Sequence, residues 1–214
     1  MTEIFTPNNL FFIAKSLGKT LFIVMCSLAP SLILGTALAL MMQSHNKFTK
    51  NISVTFINIV RNIPNLLWIY VVFLLFKLSS NLTGIVSFTL FSSAAFAEIV
   101  RGGLYSVDDS QMEAAHSQGF SYFQSLCYII LPQAFRKCLI TLSSQIITII
   151  KDTSLLWSVA AIQELTGNVT ILMNKYHSTM QIFTLYGVLM VIYFMVNFAV
   201  SNFFRYLKRL YITK

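Results

Sequence analysis

Charge is what this sequence has least of. Asp, Glu, Lys and Arg make up 10% of its 214 residues and hydrophobic residues 56%, whereas soluble domains average roughly 25% charged. That excludes an ordinary water-soluble domain, and a mean hydropathy of +0.72 points to the membrane. Strict apolar alternation is missing too. The apolar runs are continuous, which excludes a β-barrel and leaves helices. The three cysteines, Cys26, Cys127 and Cys138, stand singly in or beside apolar segments. They offer neither a disulfide framework nor a metal site and read as small buried hydrophobes. There is no G-x-x-x-x-G-K-[ST] nucleotide loop, no nucleophile elbow and no zinc signature. The chain is therefore not expected to be an enzyme or to hold a metal or cofactor of its own. No repeat of 20–50 residues and no appended soluble domain is visible. The start lacks a cleavable signal pattern, because Glu3 and Pro7 precede a long helix-like segment without a small-residue cleavage site. A formal net charge of +8 invites a nucleic-acid reading. The basic residues, however, sit between and beside apolar blocks in no stripe, so they read as an orientation signal.

What is present is a series of apolar blocks. Residues 1–9 are polar, and Leu10 to Leu17 reads as an interfacial helix whose Lys15 and Lys19 snorkel to headgroups, so 1–19 is an outer or interfacial segment. Spans are expected at about Thr20–Met42, Ile52–Phe76, Ile85–Val100, Gln133–Ile150 (the start and lower part of the fourth, with apolar residues resuming at Leu155) and Phe183–Phe204. The fold class is all-α: a polytopic membrane protein of about five transmembrane helices, forming a single transmembrane domain over 1–214. In the first span Ser27, Ala29, Gly35, Ala37 and Ala39 permit close helix contact, and Pro30 is a candidate kink. Pro64 breaks the second block, so its span proper begins there, with Ile52 to Val60 as a shallow helical approach and Arg61 at the interface. Glu98 and Arg101 lie three apart at the end of the third span and form a structural ion pair on one helix face. Gly102 and Gly103 then release the chain.

The longest stretch that could live in water runs from Ser106 to Pro132. Ser110 and Glu113 have the spacing of a capping box, so a short helix should begin near Gln111. Gly119 suits the left-handed residue that ends it. Ser121 and Gln124 offer a second box, and Pro132 stops that helix or sits in the first turn of the next. Ala114 and Ala115 give the first helix a low-relief face that could lie flush in another protein's groove.

Carboxylates in the fourth block carry the second candidate site. From Lys137 to Asp152 a helix rises about 22 Å, so Asp152 would sit inside the roughly 30 Å hydrocarbon core or just beneath its outer surface. A charge there must face protein or water. Glu164 follows in an outer re-entrant or interfacial piece, Ala161 to Thr170. Thr153, Ser154 and Thr166 are close enough in sequence to donate hydrogen bonds around a cavity flanked by both carboxylates. Alternatively, Asp152 pairs with Lys151 or a helix terminus and only shapes a bend. His177 has no partner at metal spacing. The side holding Lys47, Lys50, Arg101, Arg136, Lys137 and the 205–214 tail is more basic than the side holding Lys15, Lys19, Lys77 and Lys175. The positive-inside rule makes the polar loop and the C-terminus cytoplasmic and the N-terminus external.

Glu113-Ala114-Ala115, Gly119 and Ile130-Leu131-Pro132 together resemble the EAA loop of ABC importer permeases. Ala97 to Gly103, Lys151 to Leu155 and Glu164-Leu165-Thr166 are similar to the polar amino acid uptake members of that family. The resemblance runs from about Ser16 to about Leu210. Where the family usually reads R-G-T-P, this chain has Arg61-Asn62-Ile63-Pro64, so nothing is carried over at Asn62 and Ile63. The resemblance implies a type I importer transmembrane subunit of the bacterial cytoplasmic membrane, with 104–132 as its cytoplasmic coupling loop. Glu113, Ala114, Ala115, Gly119, Leu131 and Pro132 would then couple to an ATPase, and Asp152, Thr153, Ser154 and Glu164 would lie on the substrate path. The implied partners are a second permease subunit (the same chain or a sibling), a cytoplasmic ABC ATPase dimer carrying ATP and Mg²⁺, an extracytoplasmic substrate-binding protein, the amino acid and membrane lipid. Nucleic acid is not among them. The alternative class is an ion-gradient-driven carrier or channel, which would need no capped cytoplasmic helix.

Overall fold

The computed structural model describes residues 4–160 and 162–212, so Glu3, Lys214 and Ala161 at the head of the expected outer segment fall outside them. All regular structure among the described residues is helical. α1 spans Pro7–Met42, α2 Lys47–Asn62, α3 Asn65–Phe76 and α4 Ser80–Tyr105. α5 (Ser110–Ser117) and α6 (Tyr122–Ser125) lie in the polar stretch, followed by a π-helical turn (Leu126–Ile130) and α7 (Leu131–Lys137). α8 (Leu139–Asp152), a 3₁₀ turn (Thr153–Leu155) and α9 (Leu156–Ala160) come next, then α10 (Leu165–Met173) and α11 (Thr179–Ile212).

The Thr6 hydroxyl accepts from the Asn9 amide, and Pro7 sits in the first turn, which together start α1. Pro30 lies inside the helix without ending it, so α1 runs unbroken for 36 residues to Met42, about 54 Å. The expected separate interfacial helix at Leu10 to Leu17 does not exist. Its residues are the first turns of the span, which overshoots a roughly 30 Å core. Ser27, Ser31, Gly35 and Ala39 recur every four residues and form the buried seam against α4. A Cβ on Gly35 would stand 2.7 Å from Phe96 Cβ and 2.8 Å from the Ser93 carbonyl oxygen, so only glycine lets the helices meet here. Ala29 and Ala37 lie on the opposite, exposed side, because an offset of two residues turns about 200° around a helix. Ile23, Phe88, Ala94 and Ala97 fill the core beside this seam. Lipid tails are as apolar as these side chains, so close fit holds the seam together.

Ile63 and Pro64 are extended and separate α2 from α3 by a bend of 105°. The 12 residues of α3 rise only about 18 Å, so a membrane crossing here requires the bent pair. Among the described residues four helices are long and apolar enough to span, five with the pair. The Trp68 indole donates to the Val60 carbonyl at 3.1 Å, which serves a carbonyl at the broken end of α2.

Gly102 and Gly103 do not release the chain as expected, since α4 continues to Tyr105. Gly103 is there for packing. A Cβ on it would stand 2.8 Å from the Ala134 carbonyl oxygen of α7. The fourth span continues past Ile150 as expected: Leu139 to Val159 is helical, with one tight 3₁₀ turn after Asp152 carrying it through Lys151-Asp152-Thr153-Ser154. α10, in the expected outer re-entrant or interfacial piece, packs inside the bundle. Its Leu165, Val169, Leu172 and Met173 are buried with Ile13, Leu185 and Leu189 of α1 and α11. The expected basic tail is helical as far as Ile212, a continuation of α11.

Candidate functional site: a water-side helix and a polar face through the bundle

The α5 loop is built from local caps, though not all the expected ones. The Ser110–Glu113 box does not form. Asp108 Oδ1 instead accepts from the Ser110 amide at 2.9 Å, and α5 begins at Ser110, one residue before the expected start. That hydrogen bonding from Ser110 holds the Asp108 carboxyl below its ordinary range. Gly119 has φ +85, and a Cβ there would meet nothing, so its role is purely conformational. The Phe120 amide reaches back to the Ala115 carbonyl at 3.1 Å. Ser121 and Gln124 form the expected reciprocal box at 3.3 and 2.9 Å. The π turn then leads into Leu131 and Pro132, which occupy the first turn of α7. Gln133 donates to Gln111 Oε1 at 3.2 Å, and the Lys137 ammonium donates to the Ser106 carbonyl. Both bonds fasten the loop to α7.

The low-relief face is half of what the sequence predicted. Ala114 and Glu113 are open, but Ala115 is 3% exposed and packs inward. Three aromatics that motif reading passed over stand out beside them: Phe120, Tyr122 and Phe123, the last 71% exposed. Their signal in the sequence was large rings inside the most polar stretch.

A polar face runs along the bundle from this end. Glu98 takes Arg101 at 2.6 Å and Arg61 at 3.2 Å, so the expected intrahelical pair is a three-charge cluster joining α4 to the C-terminal turn of α2. Glu98 lines a cavity of about 360 Å³ with Gly102, Lys137 and Thr141. From Thr141, the residues Ser144, Thr148 and Asp152 follow at helical spacing along α8, none of them fully buried. Ser144 and Thr148 donate to carbonyls of their own helix, which leaves oxygen lone pairs outward. At the far end the Asn65 amide donates to Asp152 Oδ2 at 2.9 Å. Lys151 closes no ion pair with Asp152. Asn65 is 87 residues away, beyond any sequence spacing rule.

Glu164 lies elsewhere. It has no exposed surface, and it caps α10: Oε1 accepts from the Gly167 amide at 2.8 Å and Oε2 from the Thr166 amide at 2.9 Å. The Thr20 hydroxyl lies 3.5 Å and the Tyr193 hydroxyl 3.4 Å from Oε2. Tyr193 also reaches Thr166 at 3.0 Å and Thr153 at 3.4 Å. The cluster ties α1, α10, α11 and the 3₁₀ turn together. Thr153 is buried, and Ser154 donates to the Lys151 carbonyl. The structure thus separates Asp152, on an open polar face, from Glu164 in a sealed cap. No group of three His, Cys, Asp or Glu side chains able to hold a metal occurs among the described residues, and His177 is exposed.

Known proteins resemble this chain in sequence and fold. The chain is 31% identical over 202 residues to a probable glutamine ABC transporter permease protein of Bacillus subtilis, covering 92% of each chain. It is 28% identical to a glutamate/aspartate import permease protein of Escherichia coli, covering 94% of each. An amino acid ABC transporter crystallised with histidines superposes with a TM-score of 0.82 at 26% identity, covering 94% of this chain and 95% of that one. The methionine ABC transporter MetNI, in an inward-facing state, shares the fold with a TM-score of 0.72 at 16% identity, covering 94% and 98%. Residues 31–212 match the family model described as binding-protein-dependent transport system inner membrane component, and the chain belongs to that family.

Proposed function

We propose that this multi-pass membrane protein is the permease subunit of an ATP-driven importer of a polar amino acid. The observation that carries the reading is the polar face of α8. It ends at Asp152 and Asn65 and lies open along one side of a membrane helix. Hydroxyls and a carboxylate cannot face lipid cheaply, so a second permease subunit must close this face and enclose a watery path between the two. Within that path Asp152 would meet the substrate ammonium, while Asn65, freed amides and the α8 hydroxyls meet its carboxylate and polar tail. The relatives' substrates, glutamine and glutamate or aspartate, fit such a zwitterion site. Glu164 supports the path indirectly by holding α10 at its cap.

Energy must come from another subunit, because this chain carries no nucleotide loop. In this reading α5 docks in a groove of a cytoplasmic ABC ATPase dimer, which binds ATP and Mg²⁺. Glu113, Ala114 and the exposed aromatics make the contact, and Gly119 and the Leu131-Pro132 turn set the angle. An extracytoplasmic binding protein delivers substrate to the opposite end. The α5 loop and the end of α11 face the cytoplasm of the bacterial inner membrane, in line with their lysines and arginines. A carrier driven by an ion gradient would leave the fastened α5 helix without a task.

The test is copurification and reconstitution. The permease should bring down a Walker-motif ATPase and, in proteoliposomes with a binding protein, take up radiolabelled glutamine or glutamate only with ATP inside. Uptake driven by a proton or sodium gradient without any ATPase would sink the proposal.

A further inference from the structure

A cavity of about 580 Å³ opens between α1, α4, α7–α8 and α11, on the half of the bundle nearest the α5 loop. Met25, Ala29, Leu32, Phe96, Leu142 and Ile146 form much of its wall, and Arg136 is the one charged residue lining it. It is separate from the polar face, which lies on the other side of α8. Its size falls in the roughly 300–1,000 Å³ range of small-molecule sites. Water would find almost no partners there, so the space favours hydrocarbon. Phe204 and Leu207 of α11 close one side. Lys208 is exposed and stands one turn beyond Phe204 on the same helix face, so α11 carries a second cation on the side that closes the cavity.

We infer that this cavity holds one acyl chain of an anionic phospholipid from the leaflet on the α5 side, with the lipid phosphate met by Arg136 and Lys208. Charge selects the occupant. Basic pockets between membrane helices bind anionic headgroups, and the Arg guanidinium matches phosphate geometry. A second copy of this chain is the poorer occupant. A two-fold contact over the cavity would set the rim cations of each copy against those of the other, in chains of formal charge +8. The lipid would fill the gap between α11 and α1 and so brace α8, whose opposite side carries the polar path. The inference needs only that the chain is embedded in a membrane, so it stands or falls separately from the choice of transported substrate.

Native mass spectrometry tests it on the full-length permease purified from membranes, stripped of lipid and titrated with phosphatidylglycerol or phosphatidylcholine. The wild type should prefer phosphatidylglycerol, and Arg136→Gln and Lys208→Gln should each cut that preference roughly five-fold. Ala29→Phe, at a side chain exposed on the cavity wall, should fill the space and remove binding of both lipids while leaving the protein monodisperse. Millimolar inorganic phosphate should not compete, because the acyl chain supplies the remainder of the site. A photoreactive residue at position 29 should crosslink to lipid. Equal binding of the two lipids by the wild type, an unchanged preference in both charge variants, competition by phosphate alone, or a crosslink to a second permease subunit would each overturn the assignment.

Discussion

Replacing Glu164 separates a capping role from a substrate role, because the two predict opposite readouts. Its carboxylate is fully buried and accepts from the Thr166 and Gly167 amides at 2.9 and 2.8 Å. Glu164→Ala leaves both amides without an acceptor, the Gly167 amide buried and the Thr166 amide partly so. An orphaned buried donor costs ~1–3 kcal/mol, so the pair costs about 2–6 kcal/mol. Loss of a helix N-cap by itself costs ~0.5–2 kcal/mol, which places the outcome toward the lower half of that range. At about 3 kcal/mol, and roughly 2–4 °C per kcal/mol for a chain of this size, the unfolding midpoint should fall by ~6–12 °C. Glu164→Gln keeps one oxygen but turns an NH₂ group toward an amide donor, so it should lose about half as much. The assay is thermal stability of the detergent-purified permease, followed by the substrate concentration dependence of uptake in proteoliposomes. A lower midpoint with an unchanged KM is expected. An unchanged midpoint with KM raised about tenfold would refute the capping argument and move Glu164 onto the path.

Asp152→Asn should do the reverse, because Asp152 sits on the open face with one partner, Asn65. Its midpoint should hold within a degree or two while KM rises at least ~10-fold, the ammonium having lost a charge-assisted bond of ~1.5–3 kcal/mol. Gly119→Val should leave the amount of protein in the membrane unchanged but cut ATP-driven uptake severely, because a β-branched residue opposes φ +85. Gly119→Asn, which tolerates the left-handed region, should retain most of the uptake, and equal loss in both variants would mean the backbone angle is irrelevant. Gly35→Val drives a side chain into Phe96 and the Ser93 carbonyl. Overpacking of this kind costs ~1–3 kcal/mol or more, read as lower yield and a lower midpoint, whereas Ala37→Val on the exposed side should be silent.

The sequence by itself determined whatever depends on neighbours along the chain. Hydropathy alone locates the spans, because a helix that satisfies its own backbone needs only enough apolar length. The break at Pro64, the Ser121–Gln124 box, the left-handed Gly119 and the Glu98–Arg101 pair are all interactions within four residues, so spacing specifies them. Even local signals failed where two competed. Asp108 captured the Ser110 amide ahead of the Ser110–Glu113 box, and the helix ran on through Gly18, merging the expected interfacial helix into α1.

Only the tertiary structure decided which side of each helix is used. Whether Ala115 or Ala114 faces outward, and whether Gly103 is a hinge or a packing point, depends on the π turn and α7 that pack against them. Two carboxylates twelve residues apart looked alike in the sequence. The fold placed Asp152 beside Asn65 on an open face and sealed Glu164 among Thr20, Thr166 and Tyr193, partners drawn from α1, α10 and α11. Those assignments rest on contacts between residues far apart in the chain, and the angles at which whole helices pack set them.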